Sequence, residues 1–172
     1  KIYTIKCNLA NAENALTAKS ADPGPADTIT VSGKVTIATN VDGTASKDAI
    51  GGINVATADK SIVATSASDG TFTIEVPAGT TELVVYGDTT VDRTVTLSGT
   101  ASVSNAVIPI NICDYEKNGK IDGFDKINFM KYMDSYELYH DIVVNKTVDG
   151  FDKIQFLAFL GKDIVYAPLA LD

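Results

Sequence analysis

Five oxygen-bearing side chains fall at set intervals between positions 114 and 125: Asp114, Glu116, Asn118, Asp122 and Asp125. A hard cation such as calcium takes six to eight oxygen ligands. A twelve-residue loop supplies them from positions 1, 3, 5, 7, 9 and 12, with glycine at 6 where the chain turns sharply. Numbered from Asp114, those positions are Asp114, Glu116, Asn118, the Lys120 carbonyl, Asp122 and Asp125, and Gly119 falls at 6. The chemistry this spacing suits is Ca2+ binding; a solvated acidic turn needs no such pattern.

The stretch then recurs. Val148–Leu160 matches Ile121–Met133 almost residue for residue, 27 positions later. Two copies of a loop-and-helix unit, each too small to bury its own apolar face, must pack on each other. The second loop is altered. Aligned on Asp152 as position 12, it offers Asp141, Asn145, Thr147 and Asp149, with Val143 at position 3 and Lys146 in place of glycine. Two outcomes follow: a weak second site completed by water, or a loop ordered without metal.

Each helix carries two apolar sets. Phe129, Tyr132 and Met133, matched by Phe156, Phe159 and Leu160, have the i, i+3, i+4 spacing of a mutual core. Phe124, Ile127 and Met130, matched by Phe151, Ile154 and Leu157, turn largely away from it. Left exposed, they form an interaction surface; a wider core would absorb Ile127 and Ile154. His140, the sole histidine, has no second nitrogen or thiolate beside it in sequence and reads as a linker residue rather than a transition-metal ligand.

These units need a support, and the preceding chain has a different composition. Of thirteen Phe and Tyr residues, only Tyr3, Phe72 and Tyr86 precede position 112. After a breaker cluster at 21–27, Ile29, Val31, Val35 and Ile37 alternate with polar residues, as in a half-buried strand. Similar runs lie at 53–58, 61–65, 71–76, 82–86, 91–97 and 103–110, separated by turn residues. The pattern predicts an all-β antiparallel sandwich of roughly 80 residues. The expected organisation is two-domain: an N-terminal strand and linker (1–27), the sandwich (28–111), and a small α-helical domain of duplicated calcium loop-helix motifs with its tail (112–172). The strand is expected at Ile2–Leu9 and a weak helix or loop at Asn11–Lys19. The apolar tail from Ile164 is expected to pack back, with Tyr115 meeting Tyr166 or Pro168. Cys7 and Cys113 are either bridged or two buried thiols.

The 172 residues carry a net charge of −8, which disfavours nucleic-acid binding, and no apolar run is long enough to span a membrane. A chain beginning at Lys1 is expected to be a fragment of something longer. No nucleophile or acid–base constellation marks an enzyme.

Two resemblances attach to these residues. Val31–Thr36, Gly52–Val55, Ser68–Ile74 and Val76–Gly79 resemble the carboxypeptidase-regulatory-like and Cna-B-like sandwiches of secreted bacterial proteins. Some of those form an internal isopeptide bond. Lys34, Glu75 and Asn105 or Asn111 are of the right types, but strand alternation sets Lys34 on the solvated face. The paired loops ending in Asp, each followed by one helix, resemble a dockerin over about residues 112–166, preceded by an X-module. That likeness implies Ca2+ as cofactor and a cohesin domain of a scaffoldin as partner, within an extracellular, cellulosome-like, polysaccharide-degrading assembly. It implies a monomer when unbound. It places partner contacts at Gly123, Phe124, Ile127, Met130 and Lys131 in one copy, and Gly150, Phe151, Ile154, Leu157 and Ala158 in the other. The alternative is a carbohydrate-binding or adhesive sandwich, which the absence of tryptophan disfavours.

Overall fold

The computed structural model describes residues 27–172. The strand expected at Ile2–Leu9, the weak helix or loop expected at Asn11–Lys19, and Cys7 with the bridge considered for it lie outside the described residues. Strands β1 (Thr28–Ala38), β2 (Ser46–Ala49), β3 (Asn54–Thr57), β4 (Val63–Thr65), β5 (Thr71–Pro77), β6 (Glu82–Tyr86), β7 (Arg93–Leu97) and β8 (Val103–Ile110) come first. Helices α1 (Gly123–Met130) and α2 (Gly150–Phe159) and a short strand β9 (Ala170–Leu171) follow.

The long β1 organises the first sheet. Its first half pairs with β5 and its end with β2, while β8 runs parallel to it. The second sheet has the order β4-β3-β6-β7-β9. Period-two burial puts Val31, Val35 and Ile37 of β1 against Leu83, Val85 and Val95 of the second sheet. Lys34 and Glu75 are exposed.

Parallel pairing of β1 with β8 depends on two local adjustments. An extra residue in β8 leaves Asn105 at φ 59°, a left-handed conformation that Asn tolerates, and shifts the inward phase from Val103 to Ala106, Ile108 and Ile110. Opposite it, a Cβ at Gly33 would stand 2.1 Å from the Ala106 carbonyl oxygen, so only glycine allows the strands to approach.

The expected fold class, an antiparallel sandwich followed by a separate small helical domain, is corrected on two counts. The pairings β1–β8 and β7–β9 are parallel. The chain is mostly β with only two short helices among the described residues, and these form no second domain: Ile112, Cys113, Ile121, Phe129, Val148, Phe156 and Ile164 belong to the same buried cluster as the sheet residues. Helices of eight and ten residues cannot enclose a core of their own. They share that of the sheets, and the C-terminal strand then rejoins the second sheet.

Candidate metal loops and docking face

The first loop folds around two buried carboxylates. Asp114 accepts hydrogen bonds from the backbone N–H groups of Asn118 (3.2 Å) and Gly119 (2.7 Å), and Gly119 takes φ 84° at the sharp turn. Asp125 accepts from Tyr115 (2.7 Å) through one oxygen and from Asp122 (2.8 Å) through the other. Asp122 in turn caps α1 by accepting from Phe124 N–H at 2.8 Å, so the last loop positions and the first helical turn form one capping box. Glu116, Asn118 and Lys120 are exposed, and Asn118 Oδ1 accepts from Lys120 N–H.

The second loop keeps this conformation despite its substitutions. Asp141 accepts from Asn145 (2.9 Å) and Lys146 (2.7 Å), and Asp152 from Val143 (2.8 Å) and Asp149 (2.7 Å). Asp149 caps α2 through Phe151 N–H. Lys146 adopts the glycine conformation at φ 71°, and Val144 sits at φ 31° where Lys117 of the first loop has φ 55°. A β-branched residue there is strained. Asn145 Nδ2 donates to Asp149 Oδ2 at 3.0 Å, bracing positions 5 and 9 directly, and Thr147 is exposed.

Asp114, Asp125, Asp141 and Asp152 are all buried, and none of the ion pairs among the described residues includes them. Burial holds the Asp125 and Asp152 carboxyls above their ordinary value, against the lowering effect of the N–H groups they accept from; the neighbouring Asp114 and Asp141 charges add to the rise. Buried carboxylates without a cation fit a hard metal ion. Among the described residues no three His, Cys, Asp or Glu side chains gather as a metal cluster.

The duplication closes on itself reciprocally. The turn after α1 bonds to the second loop, through Asp134 N–H to the Val148 carbonyl (2.8 Å) and Val148 N–H to that of Ser135 (2.7 Å). The turn after α2 bonds to the first, through Gly161 N–H to Ile121 (2.7 Å) and Ile121 N–H to Lys162 (3.0 Å). Between them Phe129 and Phe156 stack with centroids 4.7 Å apart, and Phe159 is buried. Tyr132 lies beyond the end of α1 and is 37% exposed, so it is not part of a sealed core. His140 lies in the segment that links the two copies and is buried there between Tyr115 and Tyr132. No local signal marked it; its neighbours Tyr115, Asn128, Phe129 and Tyr132 come from the first copy, and Glu137 from the linker.

All ten residues assigned to partner contact stand at the surface: Gly123, Phe124, Ile127, Met130, Lys131, Gly150, Phe151, Ile154, Leu157 and Ala158. Ile127 and Ile154 are 60% and 68% exposed, so the core does not absorb them. The two rows differ in surroundings. Phe151 and Ile154 border a groove whose other wall is Ile37 and Lys47 of the first sheet and Thr39 just beyond β1, whereas the hollow at Phe124 and Ile127 is formed by the head of α1 alone.

The fold is similar to that of chains from solved cohesin–X–dockerin complexes. One is a C-terminal interface mutant of a type II cohesin–X–dockerin complex from Acetivibrio cellulolyticus, at TM-score 0.56 and 19% identity, covering 79% of this chain and 97% of that one. An N-terminal interface mutant of such a complex from the same organism gives TM-score 0.54 and 17% identity over the same shares. Identity at this level speaks for the fold alone. No family model matches the chain, and no curated protein matches it. Among the described residues no helix is long and apolar enough to cross a membrane.

Proposed function

We propose that this chain is a calcium-dependent docking module that binds a cohesin domain and so attaches a polysaccharide-degrading enzyme or scaffold to a cellulosome-like assembly outside the cell. Its work is binding, not catalysis, and the sheets stabilise or space the docking helices. The observation that carries the reading is the pair of equivalent apolar rows, Phe124, Ile127 and Met130 on α1 and Phe151, Ile154 and Leu157 on α2, left at 41–68% exposure at matching positions of the two helices. Such rows at helical spacing fit a partner surface. The likeness to chains of cohesin–X–dockerin complexes supports the choice of partner.

Asp114, Glu116, Asn118, the Lys120 carbonyl, Asp122 and Asp125 would hold one ion; Asp141, Asn145, Thr147, Asp149 and Asp152 would hold a second, weaker one. The ion neutralises carboxylates that otherwise repel one another and so fixes the head of each helix. Calorimetric titration against a panel of type II cohesins, with calcium and with excess chelator, tests the reading. Tight binding that chelation abolishes is expected; no binding to any cohesin, or binding indifferent to chelator, would overturn it.

A further inference from the structure

The segment after α2 joins the first loop to the second sheet by an unbroken series of bonds. It begins on the loop. Ile164 N–H donates to the Gly119 carbonyl at 2.8 Å, and Asp163 forms an antiparallel bridge with Lys120. These are loop positions 6 and 7, and the Lys120 carbonyl is itself one of the oxygens offered to the ion. The segment next reaches the end of β8 and the turn between β1 and β2: Tyr166 Oη accepts from Asn111 N–H at 2.9 Å, and Ala167 N–H donates to the Asp42 carbonyl at 2.8 Å. It ends in the second sheet, where the Leu169 carbonyl accepts from Thr96 N–H at 2.9 Å and β9 pairs with β7.

Arg93 latches this strap from inside. Its side chain is 1% exposed, and it donates to the carbonyls of Gly43 and Pro109 and, at 3.3 Å, of Ala167. The guanidinium also lies 4.8 Å from the centre of the Tyr166 ring. A buried arginine held by three carbonyls of three separate segments fixes those segments only while all are in place.

We infer that residues 161–171 are a strap through which calcium in the first loop stabilises the second sheet, and through which docking of the strap tightens the calcium site. The inference rests on the calcium reading of that loop. An ion that fixes the Lys120 carbonyl fixes the backbone to which Asp163 and Ile164 bond, lowering the entropy lost when the rest of the strap docks. Linkage makes the effect reciprocal: loosening the strap weakens calcium binding by the factor by which calcium favours its docking.

Hydrogen exchange at the Thr96 amide, 2.9 Å from the Leu169 carbonyl, reads the far end of the strap. Calcium affinity, measured by calorimetry on the same samples, reads the near end. In the full chain calcium is expected to slow Thr96 exchange by about tenfold or more. In Leu171→Asp, which places a charge at a buried β9 position, the slowing should shrink to under about twofold and calcium affinity should fall severalfold. Tyr166→Phe, a milder change that removes only the acceptor for Asn111, should lower affinity in the same direction should Leu171→Asp fail to fold. Calcium bound to the loop with Thr96 exchange unchanged would overturn the strap and leave the docking reading standing. No calcium bound at all would overturn both.

Discussion

His140 lies flat on Tyr115, with ring centroids 4.3 Å apart and planes within 5° of parallel. Tyr115 is the second residue of one loop and His140 immediately precedes the other, so this contact ties the start of one loop to the approach to the other. Burial drives the imidazole below its ordinary pKa, an effect that the adjacent Glu137 carboxylate partly offsets. The folded value therefore lies below the unfolded one of about 6.5. Its contribution to stability is complete above that pH and is lost as pH falls through the folded value. With only one histidine in the chain, a single resolved proton resonance followed by NMR reports it. Titration at or above about 6.5 would contradict the buried stack.

Much of the local architecture could be read in advance because it is written in short-range patterns. The alternation at Ile29–Ile37 marks β1, and the oxygen spacing from Asp114 marks a loop whose last acid also caps a helix. What could not be read depends on residues distant in sequence. Alignment of the copies suggested that α1 continues to Met133, yet it stops at Met130 because Asp134 and Ser135 are recruited to pair with Val148. Tyr115 was expected to meet Tyr166 or Pro168 and instead stacks on His140 and Phe156. Ser46–Ala49 and Ala170–Leu171 have no alternation of their own; β1 and β7 make them strands. The separate helical domain failed as an expectation for the same reason. Sequence shows that a helix has an apolar side, but not that this side will join one buried cluster with the residues of the sheets.

Removal of calcium should expose the cost of the buried carboxylates. Excess chelator is expected to lower the melting temperature. In chelator the raised carboxyls of Asp125 and Asp152 give a distinct pH dependence: stability from their protonation is fully present below the unfolded value of about 3.9 and is lost as pH rises through the folded values. Acidification from neutrality towards those values should thus stabilise the metal-free chain through these groups, while it weakens calcium binding by proton competition. Paired thermal melts across pH, with and without calcium, check the opposition in sign.

Exposed rows can be altered without damaging the fold. Ile127→Asp and Ile154→Asp replace side chains that are 60% and 68% exposed, so each should change stability by less than about 0.5 kcal/mol. Circular dichroism melts should match the parent protein. Binding to a cohesin is expected to fall at least tenfold for the variant whose helix lies at the centre of the interface, since a buried unpaired carboxylate costs about 1.4 kcal/mol or more. Unaltered affinity in both single variants and in the double variant would remove the helix faces from the binding surface.

The second loop holds the conformation of the first with the wrong residues for it, and correcting them should be favourable. Lys146 carries φ 71° where the first loop has Gly119 at φ 84°, and left-handed backbone costs an L-residue about 1–2 kcal/mol. Lys146→Gly relieves that strain but adds freedom to the unfolded chain worth about 0.5–1 kcal/mol, leaving a net gain near 0.5–1 kcal/mol. The same change removes a positive charge from the rim of a site that has lost one acidic ligand to Val143, so calcium affinity of this loop should rise as well. Asp114→Ala, made in parallel, should abolish the tighter calcium step and leave the Asn118 and Gly119 N–H groups without acceptors. Titration of the two variants beside the parent distinguishes the loops: the tight step should vanish with Asp114→Ala, and the weak step should strengthen with Lys146→Gly. A weak step that survives unchanged in Lys146→Gly would mean that the Asn145–Asp149 brace, not the missing glycine, limits the second loop.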